Sequence, residues 1–139
     1  MACWAHVRRK FYDLEQAHAS PLAREALERI AALYAIEDDI RGRPHDERKQ
    51  VRQTRTRPLL RSLHDWLEVS LTKLSRKSDT TAAIRYALTL WPALTRFCDD
   101  GHLEIDNNAA ERSLRAVTLG RKNYLFAGSD AGGERAAPL

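Results

Sequence analysis

The sequence predicts a mainly α protein, with a helical bundle followed by a short α/β segment. Apolar residues recur at helical intervals in successive stretches between residues 3 and 98, and helix start and stop signals lie between these stretches. After Gly101 the pattern changes, because Leu103-Glu104-Ile105 alternates and Tyr124–Ala127 is a short apolar run, as is typical of strands. At 139 residues the chain is one domain or part of one.

The first two predicted helices have clear signals. Apolar residues at helical spacing over residues 3–16 lie beside a basic cluster, which indicates an amphipathic helix. Ser20 is a good N-cap, and Pro21 then takes the first helical position, where a missing N–H costs nothing. The second helix is expected to stop at Gly42 and Pro44.

The next two helices are separated by a polar break. One is predicted from Pro58 to Leu74, and the following one from a cap at Asp79. Pro92 lies inside the register of that last helix, where proline costs about 3 kcal/mol or bends the helix. We therefore expect a kink at this point or a new helix beginning near Trp91.

Composition favours a soluble protein of a reducing compartment. The net charge of +4 is rich in arginine, which suits phosphate binding, although many basic proteins bind no nucleic acid. Cys3 and Cys98 have no framework of partners, so we expect reduced thiols and a cytoplasmic setting. There is no apolar run of membrane-spanning length and no signal-peptide core at the N-terminus.

One segment, residues 41–61, carries much of the positive charge. Eight basic residues there face only Asp46 and Glu47, a local excess of six positive charges. The basic residues are Arg41, Arg43, Arg48, Lys49, Arg52, Arg55, Arg57 and Arg61. Few apolar residues interrupt them, so we expect an exposed face, either a solvated helix flank or a phosphate-contacting surface with Arg52 and Arg55 among its DNA-binding residues.

The stretch from Leu103 to Arg115 concentrates residue types that chemistry can use. Asp106 or Asn107 can cap a helix that carries one acid, Glu111, beside Arg112 and Arg115. Helical spacing allows two interpretations. One is a solvated ion pair worth about 0.3–0.5 kcal/mol. The other is a metal-binding carboxylate next to arginines that hold phosphates.

Other metal ligands are weaker candidates. Cys3 and His6 have a C-x-x-H spacing, but the sequence offers no second pair, so packing of Cys3 is expected. Asp99 and Asp100 precede a glycine, which is more typical of a solvated helix end than of metal ligation.

Four strings of residues support a family assignment. They are Cys-Trp-Ala-His-Val-Arg-Arg-Lys-Phe at 3–11, Ala-Ile-Arg-Tyr-Ala-Leu at 83–88, Asp-Asn-Asn-Ala-Ala-Glu-Arg at 106–112, and Gly-Arg-Lys-Asn-Tyr-Leu-Phe-Ala-Gly-Ser at 120–129. Together they resemble the C-terminal part of a transposase of the insertion sequence 66 family, over essentially the whole chain. The resemblance implies a DDE enzyme, in which an RNase H-like fold brings two aspartates and one glutamate around two Mg²⁺ or Mn²⁺ ions.

The resemblance also implies a division of the chain. Residues 1–19 would follow the second catalytic aspartate, residues 20–100 would be a helical insertion, and residues 101–139 would be a truncated C-terminal part of the RNase H-like core. Glu111 matches the final acid and would bind metal. Arg112, Arg115, Arg121 and Lys122 would contact DNA phosphates.

Both catalytic aspartates of the family lie upstream of the motif with which this chain begins. One glutamate cannot hold two magnesium ions, because each needs near-octahedral oxygen coordination. We therefore expect DNA cleavage and strand transfer only in the full-length enzyme, with transposon ends and target DNA as partners, and no tight metal binding here. Self-association is possible. The alternative is a non-catalytic DNA-binding or dimerisation module that uses residues 41–61. A third hypothesis is that another polypeptide supplies the aspartates.

Overall fold

A computed structural model of the chain describes residues 3–106, which belong to one compact helical unit. The helices are α1 (Trp4–His18), α2 (Pro21–Asp39), α3 (His45–Val51), a π-helical turn (Arg52–Thr56), α4 (Arg57–Leu71), α5 (Asp79–Thr89), α6 (Trp91–Leu94) and a 3-10 turn (Arg96–Asp99). The mainly α prediction is confirmed for these residues. None of the helices in this range is long and apolar enough to cross a membrane.

The predicted boundaries of α1 and α2 are confirmed to within a few residues. Ser20 caps α2, since its Oγ accepts a hydrogen bond from the Ala23 N–H at 3.1 Å, and Pro21 follows at the first position. Gly42 has a φ of +83°, a left-handed conformation that glycine adopts without strain, and the chain turns there.

The helix predicted from Pro58 is confirmed as α4, which begins at Arg57, but a further helix that was not predicted, α3, begins at His45 before it. Pro44 precedes α3, and the negative charges of Asp46 and Glu47 in its first turn stabilise the helix by interacting with the positive end of its dipole. The helix then continues through the π-helical turn into α4. Pro58 has no N–H for the carbonyl four residues earlier, and the π-helical turn lies directly before it. The extra residue of this turn directs Arg52 and Thr56 into the protein, where both are fully buried.

The structure corrects one prediction about the last helices and confirms another. The cap of α5 is Ser78 rather than Asp79, because the Ser78 Oγ accepts from the Thr81 N–H at 3.0 Å. The expected break at Pro92 is confirmed, since α5 ends at Thr89 and a new short helix begins at Trp91.

The helices enclose a single apolar core at the junction of α1, α2, α4 and α5. Trp4 is fully buried; its indole N–H donates to the Leu94 carbonyl at 2.9 Å, and its ring meets Trp91 edge to face. Cys98 is also buried, and this raises the pKa of its thiol to about 11. Neither Cys3 nor Cys98 forms a disulfide bond. Because α1 packs on α2 and α5, it shares the core of the bundle, and the division at residues 19 and 100 stays a prediction.

No extended strand forms at Leu103–Ile105 within the described residues. Glu104 alone makes a single β-bridge between turns, and the side chains of Leu103 and Ile105 are buried in the helical core. Burial against helices satisfies the apolar residues of this alternating pattern as well as a sheet would. The other expected strand, Tyr124–Ala127, lies outside the described residues.

A buried ion pair joins α2 to the π-helical turn. Arg52 donates through Nε and Nη2 to the two carboxylate oxygens of Glu37, at 3.0 and 2.6 Å. Its Nη1 donates to the carbonyl of Phe97 at 2.9 Å and, more weakly, to that of Asp100 at 3.3 Å. The Arg52 side chain has no exposed surface, and the Glu37 side chain is 10% exposed. The charge is thus buried with its hydrogen bonds made, the condition under which a buried ion pair is tolerated.

Removing one partner of this pair should be costly. We expect Arg52→Met to lower the free energy of unfolding by about 3–5 kcal/mol, because it leaves the Glu37 carboxylate buried without its cation. Arg52→Met combined with Glu37→Leu should recover part of the loss. The measurement is urea denaturation followed by circular dichroism.

The matched control is Arg55→Met, which breaks the exposed pair with Asp39 and should cost no more than about 1 kcal/mol. Equal losses for Arg52→Met and Arg55→Met would contradict the assignment of Arg52 to the core.

Candidate functional site

Residues 97–106, which we call the lead segment, are the last described residues before Glu111 in the sequence. The lead segment follows α6 and ends at Asp106, the first residue of the motif that contains Glu111. Buried side chains hold it to the helical core, namely Phe97, Cys98, Leu103 and Ile105. The lead segment is therefore part of the folded helical unit.

Polar side chains of α3, the π-helical turn and α4 hold the lead segment along one face. Arg48 pairs with Glu104 at 2.9 Å, and the Gln53 amide donates to the Cys98 carbonyl at 2.7 Å. Arg57 pairs with Asp99 at 2.6 Å, and this hydrogen bond lowers the pKa of the Asp99 carboxyl. Arg48, Arg52 and Arg57 are four and five residues apart, and Gln53 adjoins Arg52, so these contacts come from one side of the helix.

A close backbone approach adds to this contact. A Cβ on Gly101 would lie 1.7 Å from the carbonyl oxygen of His45, so only glycine fits between the lead segment and the start of α3. Beside it, the rings of His45 and His102 stack with their centroids 4.0 Å apart.

The end of the lead segment reaches the opposite side of the bundle. The Asp106 carboxylate accepts a hydrogen bond from the Tyr34 hydroxyl on α2, and the backbone N–H of Ala5 in the first turn of α1 is a second donor near it. Burial raises the pKa of the Asp106 carboxyl, and these two donors oppose the rise. Burial and the neighbouring Asp106 carboxylate raise the pKa of Tyr34 well above its usual value, so its hydroxyl stays a donor.

The aspartates of the lead segment are therefore occupied by protein groups. Asp99 accepts from Arg57 and from Gln53, and Asp100 accepts from the His102 backbone N–H at 2.9 Å. Asp106 accepts from Tyr34.

The basic segment of residues 41–61 is largely neutralised in three dimensions. Five of its eight basic side chains pair with acids, and three of the acids lie outside the segment at its N-terminal side while two lie in the lead segment. The pairs are Arg41–Asp38, Arg48–Glu104, Arg52–Glu37, Arg55–Asp39 and Arg57–Asp99. Within residues 3–106, Arg43, Lys49 and Arg61 are exposed and have no acid within 4.0 Å.

This arrangement corrects the sequence-based expectation for Arg52. The segment was expected to be exposed throughout, but Arg52 is buried and all of its nitrogens are engaged, so it presents nothing to a phosphate. The π-helical turn is the cause, because it rotates this position inward. Arg55 is half-exposed and shares its charge with Asp39, so its role in DNA binding stays a prediction.

Sequence reasoning missed one group with metal-binding geometry. The ligand atoms of His64, Asp65 and Glu68 on α4 lie within 4.8 Å of one another. Their signal was the spacing, since residues four apart share a helix face. The His64 and Glu68 side chains approach to 3.6 Å, and the His64 ring packs on Trp91. No other such group exists in the described range, so Cys3 and His6, whose side chains contact each other at 2.9 Å, gain no third ligand there.

Most of the predicted catalytic and DNA-binding residues lie outside the described range of 3–106. They are Glu111, Arg112, Arg115, Arg121 and Lys122. For these residues the fold provides only the position of the lead segment, which ends at Asp106, five residues before Glu111.

Comparison with known proteins adds the family. The chain is 47% identical over 131 residues to the uncharacterized protein y4qI of Sinorhizobium fredii, covering 94% of this chain and 24% of that protein. It is 43% identical over 149 residues to the uncharacterized protein y4hP of the same organism, covering 99% of this chain and 27% of that protein. The chain thus spans about a quarter of the length of these relatives.

No solved structure matches the chain at a significant level. The family model described as Transposase IS66 family matches residues 1–135, nearly the whole sequence, and so includes both the helical unit and the motif that carries Glu111. The chain belongs to the IS66 family of transposases.

Proposed function

We propose that this chain provides the helical insertion and the final acidic ligand of a DDE-type transposase that cleaves and joins DNA. The observation that carries the proposal is the family match over residues 1–135, which includes the Asp106–Arg112 motif. In the complete site Glu111 would hold a Mg²⁺ or Mn²⁺ ion, and Arg112, Arg115, Arg121 and Lys122 would hold DNA phosphates. When bound, the metal would supply Lewis acidity for phosphoryl transfer.

The geometry of the described residues supports a shared site. Two-metal catalysis needs several carboxylates around ions about 4 Å apart. The acids that precede Glu111 most closely in the sequence are all hydrogen-bonded to protein groups, namely Asp99, Asp100, Glu104 and Asp106. They are poorly placed to form a second ligand set, so we propose that two aspartates outside this sequence complete the site, as the family resemblance implies.

The purified 139-residue chain should therefore not cut or join DNA in Mg²⁺ or Mn²⁺. The decisive comparison uses the relative y4qI and a chimera in which this chain replaces the matching part of that relative. We expect the chimera to support metal-dependent strand cleavage of transposon ends, and Glu111→Gln to abolish it. Loss of one metal ligand removes the charge that holds the ion.

The control is Glu28→Gln, which makes the same chemical change at an exposed position of α2 and should leave cleavage intact. Cleavage by the isolated chain, lost on Glu111→Gln, would contradict the shared site. Full activity of the Glu111→Gln chimera would contradict the role of Glu111.

The second candidate function is DNA binding through residues 41–61. The observation in its favour is that Arg43, Lys49 and Arg61 are exposed without an acid partner in the described structure. Each phosphate contact steepens the plot of log affinity against log salt by about 0.9. Three contacts account for a slope of about 2.7.

We expect the triple variant Arg43→Ala, Lys49→Ala, Arg61→Ala to flatten the salt dependence of duplex binding by at most about 2.7. Fluorescence anisotropy of a labelled duplex across a salt series measures it. The matched control is the triple variant Arg41→Ala, Arg55→Ala, Arg57→Ala, whose charges are shared with Asp38, Asp39 and Asp99 and which should flatten it less. An equal effect of both variants would show that the paired arginines leave their acids to bind DNA.

A further inference from the structure

Three side chains that can bind a metal ion lie together in the second half of α4. The ligand atoms of His64, Asp65 and Glu68 are all within 4.8 Å of one another. His64 and Glu68 are one helical turn apart, so they share a face of the helix, and Asp65 adjoins that face. None of the three contributes to the contacts that hold the lead segment.

The distance between His64 and Glu68 suits two ligands of one ion. The His64 Nδ1 and Glu68 Oε1 atoms are 3.6 Å apart, which is too long for a hydrogen bond. Bonds of about 2.0–2.2 Å from a tetrahedral zinc ion to nitrogen and oxygen place two neighbouring ligand atoms about 3.3–3.5 Å apart. A small rotation of the Glu68 side chain is therefore enough to bring both atoms onto one ion.

Both carboxylates of the cluster are available to a cation. Asp65 is exposed, and the Glu68 side chain is 59% exposed. Within residues 3–106, no lysine or arginine lies within 4.0 Å of either carboxylate. Elsewhere in the helical unit an arginine often occupies such a group, as Arg29 does for Glu25 on α2. An ion at the cluster would thus not have to displace a basic side chain.

The imidazole of the cluster is already held in place. The His64 ring packs edge to face against Trp91 of α6, with the ring centroids 5.0 Å apart and an angle of 69° between the planes. Its side chain is 32% exposed, so it remains open to solvent. Because the contact limits rotation of the ring, less conformational entropy is lost when the ring binds an ion.

The ligand types determine which ions fit. Imidazole nitrogen suits zinc, nickel and copper, whereas magnesium and calcium prefer oxygen ligands alone. We propose that His64, Asp65 and Glu68 form a site for a divalent transition-metal ion of the Zn²⁺ class, with water in the remaining positions. The ion joins two successive turns of α4 beside the contact of His64 with α6. It stabilises the folded chain, because the three ligands are brought together only in the folded form.

Isothermal titration calorimetry of the untagged 139-residue chain tests the site, separately from any DNA cleavage. We expect Zn²⁺ and Ni²⁺ to bind at one ion per chain and an excess of Mg²⁺ not to compete. His64→Gln should weaken the binding by at least about tenfold, since even the loss of an outer-shell partner typically costs 10- to 100-fold. Asp65→Asn and Glu68→Gln should each weaken it as well.

The matched control is His18→Gln. His18 also faces a carboxylate, that of Asp79 at 3.9 Å, but the pair has no third ligand among the described residues. The control should therefore bind Zn²⁺ as the parent does. Parent-like affinity in His64→Gln, or equal losses in His64→Gln and His18→Gln, would overturn the site. So would competition by Mg²⁺.

A second measurement places the ion on the folded chain. Substoichiometric Ni²⁺ is paramagnetic and broadens the proton NMR signals of nearby rings. Of the five histidines in the chain, we expect His64 to broaden first, together with the indole of Trp91. Broadening of other histidines alone would contradict the proposal. If His64→Gln fails to fold, Asp65→Asn decides, because this exposed side chain is not part of the core; unchanged affinity in that variant would overturn the three-ligand site.

Discussion

The buried pair of Arg52 and Glu37 is the interaction on which the described fold depends most. It joins α2 to the π-helical turn, and the same guanidinium holds the carbonyls of Phe97 and Asp100 in the lead segment. Three parts of the chain that are far apart in sequence therefore meet at one cation. Because a buried charge without its partners is costly, these three parts must be in place together. This requirement explains why the lead segment is folded against the bundle.

The π-helical turn makes that arrangement possible. An uninterrupted α-helix through residues 45–71 would shift the face presented by every residue after the turn by one position. With the turn, Arg52 and Thr56 face inward while Leu60, Leu63 and Leu67 still meet the core. The extra residue of the turn therefore lets one continuous helix do two things. The polar side chains before Pro58 hold the lead segment, and the apolar side chains after it pack in the core of the bundle. Such turns often occur near functional sites.

Most basic side chains of residues 41–61 are paired with acidic side chains in the fold, so the segment does not form one continuous positive surface. The excess of six positive charges over residues 41–61 is a property of the linear sequence, whereas in the fold Glu37, Asp38, Asp39, Asp99 and Glu104 lie against it. A run of arginines next to an acidic helix end can therefore serve to fix a neighbouring segment. Here that segment is residues 97–106, which ends at Asp106, where the motif containing Glu111 begins in the sequence.

The sequence by itself determined the mainly helical fold class, the helix cap at Ser20 and the helix break at Pro92, because these follow from periodicity and from local backbone chemistry. Its motifs also indicated the family. Only the tertiary structure decided the burial of Arg52 against Glu37, the burial of Leu103 and Ile105 in the helical core, and the hydrogen bond from Tyr34 to Asp106. Each of these depends on partners more than about ten residues away, and a local pattern of residues contains no information about which distant groups will neutralise a charge or accept a hydrogen bond.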